Sequence, residues 1–96
     1  PYRLKRRFPK LTFTEPVYLT PEPGTNRLLV VERTGRILAI DDDDAAAASV
    51  EIGKIERAGY RNDVYSLVFH PRYAENGYVY AFVERRKAEG GAPTDF

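Results

Sequence analysis

Cysteine is absent from all 96 residues, histidine occurs once, and no apolar run approaches the roughly 20 residues that span a bilayer. Without cysteine there is no disulfide, no thiol nucleophile and no cysteine-ligated zinc; the compartment stays open, because secreted proteins need not carry bridges. Charge of one sign is also missing in bulk. Lys and Arg total 15 against 14 Asp and Glu, and a net charge of +1 gives no electrostatic reason to expect nucleic acid or a membrane surface. No basic-then-apolar signal segment is present, so the chain reads as a mature chain or an excised piece. The acidic run Asp41 to Asp44 lacks the spaced D-x-D-x-D-G pattern and turn glycine of a calcium loop, and reads as a solvated loop. Metal-ligating and catalytic sets are therefore absent from the expectation.

The 43% apolar and 12% aromatic content suffices for one small packed domain. Residues 1–10 hold Arg3, Lys5, Arg6, Arg7 and Lys10. They read as a basic leader or edge segment, since Tyr2, Phe8 and Tyr60 do not interleave with the basic residues as a nucleic-acid platform requires. Residues 11–96 form the remaining unit. At its end, Gly90 to Phe96 reads as a loop that stops before a further element.

The pattern along that unit is one of strands. Leu11 to Glu15 alternates, with Pro16 confining it to a strand end or an edge, and Val17-Tyr18-Leu19 extends it. Pro21 to Asn26 is a cluster of turn formers, and Leu28 to Val31 is apolar on both faces, as a strand covered on both sides requires. Thr34-Gly35 predicts a tight hairpin into Arg36 to Ile40, with glycine supplying a positive φ. Four carboxylates beside Ala45 to Ala48 make a poor helix nucleus, so a loop with at most one helical turn is expected there. Val50 to Ile55 reads as a half-wet outer strand that completes a four-stranded antiparallel unit. Val64 to Phe69 and Tyr78 to Val83 begin a second unit, with Asn76-Gly77 turning between them.

The second unit echoes the first. A shift of 50 residues sets Pro21 on Pro71, Asn26 on Asn76 and Val17-Tyr18-Leu19 on Leu67-Val68-Phe69, a period that fits a blade-sized β repeat. The expected fold is all-β, an antiparallel β-propeller fragment of one complete four-stranded blade and part of the next. Ordinary propellers need about four to eight blades, so the chain is expected to open a longer one. A free-standing small β-domain is the alternative architecture.

His70 precedes Pro71 at an expected strand end, which favours a structural role. Ser66, four residues earlier on the same strand, would lie about 13 Å away at about 3.3 Å per residue, too far for a nucleophile and base. Tyr65, Tyr78, Tyr80 and Phe82 alternate as core aromatics do. The loop expected ahead of Val64, with Arg61, Asn62 and Asp63, is the candidate site, because a loop feeding a blade's inner strand opens onto the channel where propellers bind ligands.

Thr14-Glu15-Pro16, Leu29 to Ile37 and above all Phe69-His70-Pro71-Arg72-Tyr73-Ala74-Glu75-Asn76-Gly77-Tyr78-Val79-Tyr80 resemble the amino-terminal part of the glucose/sorbosone dehydrogenase family. The resemblance covers about residues 8–83. It implies a six-bladed β-propeller and, in the whole protein, oxidation of a sugar or polyol by hydride transfer to pyrroloquinoline quinone. It further implies calcium held by residues outside this chain, a cytochrome-type electron acceptor, and a periplasmic or extracellular location. In the family's enzymes the loop before the second unit reads Gln-Asn-Gly-Leu-Leu-Gly and its Gln helps hold the quinone. Here those positions are Arg61-Asn62-Asp63-Val64-Tyr65-Ser66: Asn62 matches, Arg61 replaces Gln, and Asp63 and Ser66 replace the glycines. The resemblance thus marks Arg61, Asn62 and Asp63 as cofactor-binding positions, while the family's catalytic His lies beyond the stretch covered. A non-enzymatic extracellular propeller that binds a protein or a carbohydrate is the rival reading.

Overall fold

The apolar run in the first half of the chain folds as the second strand of a meander. In the computed structural model, which describes residues 3–87, β1 (Pro16–Pro21), β2 (Arg27–Glu32), β3 (Arg36–Asp41) and β4 (Val50–Lys54) form one antiparallel sheet in sequence order. Strands β5 (Tyr60–Phe69) and β6 (Val79–Lys87) pair antiparallel as a second sheet, joined by the single helical turn α1 (Tyr73–Asn76). The fold is mostly antiparallel β, as expected. The expected terminal loop from Gly90 to Phe96 and the aromatic Tyr2 lie outside the described residues.

Strands β2 and β3 supply both faces of the core because side chains alternate across a sheet. Leu28, Val30, Leu38 and Ile40 face one way and pack on Phe8 and Leu11, with Phe13 and Ala46 at the margin. Leu29, Val31, Ile37 and Ala39 face the other way, against Val64 and Leu67, with Ile55, Phe69 and Val83 alongside. Each fully buried Val, Leu or Ile among them contributes about 1.5–3 kcal/mol by leaving water, and Ala39 less. The four-stranded sheet is thus sandwiched between the leader and the second sheet.

The turn from β2 to β3 ties these layers together. Gly35 N–H donates to the Glu32 carbonyl at 2.9 Å, and Gly35 has φ 117° in the expected hairpin. The same turn receives three other segments: Arg33 N–H donates to the Glu15 carbonyl, Ile55 N–H to the Gly35 carbonyl, and Val64 N–H to the Arg33 carbonyl, all at 2.8–2.9 Å. Below it, the carboxylate of fully buried Glu32 accepts from Thr14 N–H at 2.6 Å and from Arg36 at 3.0 Å.

Three expectations need correction, and one loop forms as expected. Residues 11–15 are not a strand, because Glu15 takes a left-handed backbone (φ 49°) and Thr14 N–H is drawn to Glu32 rather than to a ladder. Ala45 to Ala48 form the expected loop without a helical turn, and Asp43 Oδ1 accepts from Ala45 N–H at 2.9 Å, a side-chain bond that competes with helix. The acidic run is not merely solvated: Arg7 pairs with Asp42 at 2.8 Å and Asp44 at 2.7 Å, and Lys5 with Asp44 at 3.4 Å. Finally, Tyr65, Tyr78, Tyr80 and Phe82 are exposed, Phe82 to 69%, on a face of the second sheet that no described residue covers.

The fifty-residue echo has a physical counterpart. Pro21 closes β1 and Pro71 follows β5, while Asn26 precedes β2 and Asn76 ends α1 ahead of β6. Both copies are strand, turn, strand. Their turns touch, since Tyr73 Oη donates to Glu22 Oε2 at 2.7 Å.

Candidate functional site

Arg61, Asn62 and Asp63 are strand residues, not a loop. They continue β5 upstream of the apolar stretch and pair in register with Arg86, Arg85 and Glu84 of β6. Polar residues inside a strand hide its start from an apolar pattern, and two of these are buried, Asn62 to 6% and Asp63 to 8% exposure.

Burial of a polar group demands partners, and both have them. Asn62 donates from Nδ2 to the Ile55 carbonyl at 3.3 Å and accepts at Oδ1 from Arg85 Nε at 2.7 Å. Asp63 accepts from Arg33 Nε at 3.2 Å, and Arg33 also reaches Glu15 at 3.5 Å. The Asp63 hydrogen bond is the main cause that raises the Arg33 pKa. Both side chains therefore join β5 to its neighbours. An Asn62→Ala variant is expected to lose about 2 kcal/mol, since it strands a carbonyl and a guanidinium, and a urea denaturation midpoint measures the loss.

Arg61 differs. It is exposed and forms no side-chain hydrogen bond or ion pair among the described residues. It stands cross-strand from Arg86, a like-charge pairing that costs stability unless an anion intervenes. Part of that anion is Glu84, whose pKa is lowered first by its hydrogen bond from Arg86, then by that from Tyr65, with the Arg61 charge contributing. Tyr65 Oη donates to Glu84 at 2.8 Å, which raises the tyrosine pKa. Of the three predicted positions, Arg61 is the one with donors left for a ligand.

Tyr65, Glu84, Arg86 and Arg33 belong to the same polar cluster; the sequence marked Tyr65 only as a core aromatic and did not single out the other three as site residues. Register brings in two of them, since Glu84 opposes Asp63 and Arg86 opposes Arg61, while Arg33 reaches Asp63 from the β2–β3 turn and Tyr65 reaches Glu84 from the register shift in β5. The single histidine lies elsewhere. His70 Nδ1 accepts from Arg72 N–H at 3.0 Å and lies 3.1 Å from Asn76 Nδ2, so the proton of a neutral ring sits on Nε2 and the ring braces the turn before α1. Tyr78 meets it edge-on at 6.1 Å. This is the structural role expected of it.

Two apolar cavities of about 300 and 230 Å³ lie on either side of the four-stranded sheet, and neither is lined by Arg61, Asn62 or Asp63. Among the described residues no group of three or more His, Cys, Asp or Glu can hold a metal ion, and no helix is long and apolar enough to cross a membrane. Compared with models of known families, with curated proteins and with solved structures, the chain has no match.

Proposed function

We propose that this chain is the amino-terminal part of a quinoprotein sugar-dehydrogenase-like β-propeller, with β1 to β4 as its first blade and β5 and β6 as the start of its second. The observation that carries this reading is the paired echo. Two strand-turn-strand units stack face to face, and the second turn bears the segment Phe69 to Tyr80 that resembles the glucose/sorbosone dehydrogenase family. Stacked sheets with inner strands apolar on both faces are what a propeller blade requires.

In the whole protein, bound pyrroloquinoline quinone would supply the hydride acceptor for a sugar or polyol. The fit of this segment to the quinone is partial: Arg61 is free to form a charge-assisted bond to a quinone carboxylate, whereas Asn62 and Asp63 are engaged by Ile55, Arg85 and Arg33. The role of the segment is to bind and orient, and no proton-transfer step is drawn through it. The calcium ligands, the catalytic histidine and a cytochrome-type electron acceptor belong outside this chain, in a periplasmic or extracellular setting.

The test supplies quinone, calcium and a panel of aldoses to the full-length protein and follows dye reduction and retained quinone. Turnover is expected, and Arg61→Glu should lower quinone retention by about 10- to 100-fold, the loss of one charge-assisted hydrogen bond. Absence of both turnover and retention would overturn the reading. It would favour instead a propeller that binds a protein or carbohydrate without chemistry, a role consistent with the internal engagement of Asn62 and Asp63.

A further inference from the structure

An asparagine followed by glycine is prone to lose ammonia, because the next backbone nitrogen can reach the side-chain amide carbon where no side chain shields it. Of the three asparagines in this chain, only Asn76 precedes glycine. Gly77 is exposed, and nothing lies within 4 Å of the place a Cβ would take, so water reaches the pair.

The turn before β6 holds both reacting groups. Gly77 ends α1 at φ 67°, and its N–H, which carries the attacking nitrogen, donates to the Tyr73 carbonyl at 2.8 Å. The Asn76 amide is fixed at both ends: Oδ1 accepts from Tyr78 N–H at 2.9 Å and Nδ2 lies 3.1 Å from His70 Nδ1. Tyr78 N–H is also placed to stabilise the oxyanion that attack creates, so the fold withholds the nucleophile rather than the carbonyl. The restraint extends into the first unit. Tyr73 Oη donates to buried Glu22 at 2.7 Å, and the Tyr73 ring meets Phe69 edge-on at 4.8 Å. Parting of the two turns therefore frees the residue whose carbonyl restrains Gly77.

We propose that Asn76 is a site of spontaneous deamidation, latched by the Gly77–Tyr73 hydrogen bond and released when the turns of the two units part. The Gly77 nitrogen gives its proton to solvent base and bonds to Asn76 Cγ. The Cγ–Nδ2 bond breaks, and that nitrogen leaves as ammonia after taking a proton from water. Water then opens the succinimide at either carbonyl, leaving aspartate or isoaspartate with no change of oxidation state. The product cannot resume the old turn: a carboxylate oxygen in place of Nδ2 meets the lone pair of His70 Nδ1, acceptor against acceptor. One opening is thus recorded irreversibly. The site is independent of the quinone reading, since it draws on no group assigned to the cofactor.

The full-length protein is held in warm, mildly alkaline buffer, and Asn76 is followed by peptide mapping as a mass gain of about 1 Da, beside a synthetic peptide spanning Phe69 to Tyr80. The native protein should react at least about tenfold more slowly than the peptide. Hydrogen exchange at the Gly77 amide should be protected by the same factor to within about threefold, because both processes need one opening. In urea, protein and peptide should react alike. Tyr73→Phe keeps the ring on Phe69 and removes only the hydroxyl on Glu22, so it should speed the native reaction about 3- to 10-fold. Four results would each overturn the assignment: a native reaction as fast as the peptide's, an Asn76 that stays inert in urea, a slowing unrelated to Gly77 protection, or an unchanged rate in a folded Tyr73→Phe variant.

Discussion

Gly35→Ala is expected to destabilise the protein by about 3 kcal/mol or more, a fall in melting temperature of roughly 12–24 °C for a domain of this size. Two costs combine. At φ 117° any side chain strains the backbone, and an added Cβ would sit 2.3 Å from the Ile55 carbonyl oxygen, a backbone atom that cannot swing aside. Relief requires moving the segment whose N–H bonds to Gly35, and that turn also receives Glu15 and Val64. Gly24 separates the two costs. Its φ is 79°, but nothing lies within 4 Å of the position that an alanine methyl would take, so Gly24→Ala should lose only about 1 kcal/mol. Thermal melts of both variants check the contrast, and equal losses would locate the cost in the backbone angle alone.

The legible part of this fold is the part written in local pattern. Leu28 to Val31 is apolar at consecutive positions because its neighbours alternate between the leader and the second sheet, and Gly35 announces its hairpin because few residues tolerate that angle. The start of β5 was not legible. Arg61-Asn62-Asp63 looks like a loop because no local pattern reveals that Arg85 from β6, Arg33 from the hairpin and the Ile55 carbonyl would satisfy it. The same holds for the leader. Its basic residues and the acidic run were each visible, but their pairing across some 35 residues depends on β2 and β3 bringing them together.

The candidate site was legible to a similar degree. Position in the chain picked out Arg61, Asn62 and Asp63 together; the structure leaves Arg61 exposed and without a side-chain partner among the described residues, and buries and engages the other two. Spacing could not tell Arg61 from Asn62 and Asp63, since the difference between an available and an engaged side chain lies in cross-strand partners. Exposure of Tyr80 and Phe82 escaped the alternation rule for a related reason: alternation says which residues share a face, not whether anything covers it.

Glu22 carries the second large effect. It is 5% exposed in the turn after β1, where its carboxylate accepts two hydrogen bonds from Arg27 at 2.8 and 3.0 Å, one from Thr25 at 2.9 Å and one from Tyr73 at 2.7 Å. The Arg27 bond foremost, with Tyr73 and Thr25 after it, outweighs burial and lowers the Glu22 pKa from 4.5 to about 2. The native state therefore binds fewer protons than the unfolded chain between those values. Stability from this group is complete above about pH 4.5 and is lost as pH falls toward 2, and it is on the order of 3 kcal/mol. Glu22→Gln should remove most of that at pH 7, because it leaves the Arg27 guanidinium without its charge partner and loosens the Tyr73 bond that links the two turns. Urea midpoints at about pH 7 and about pH 2.5 test this in one comparison. The native protein and the variant should differ widely at the higher pH and converge at the lower; a gap independent of pH would mean that packing, not the carboxylate, holds the two turns together.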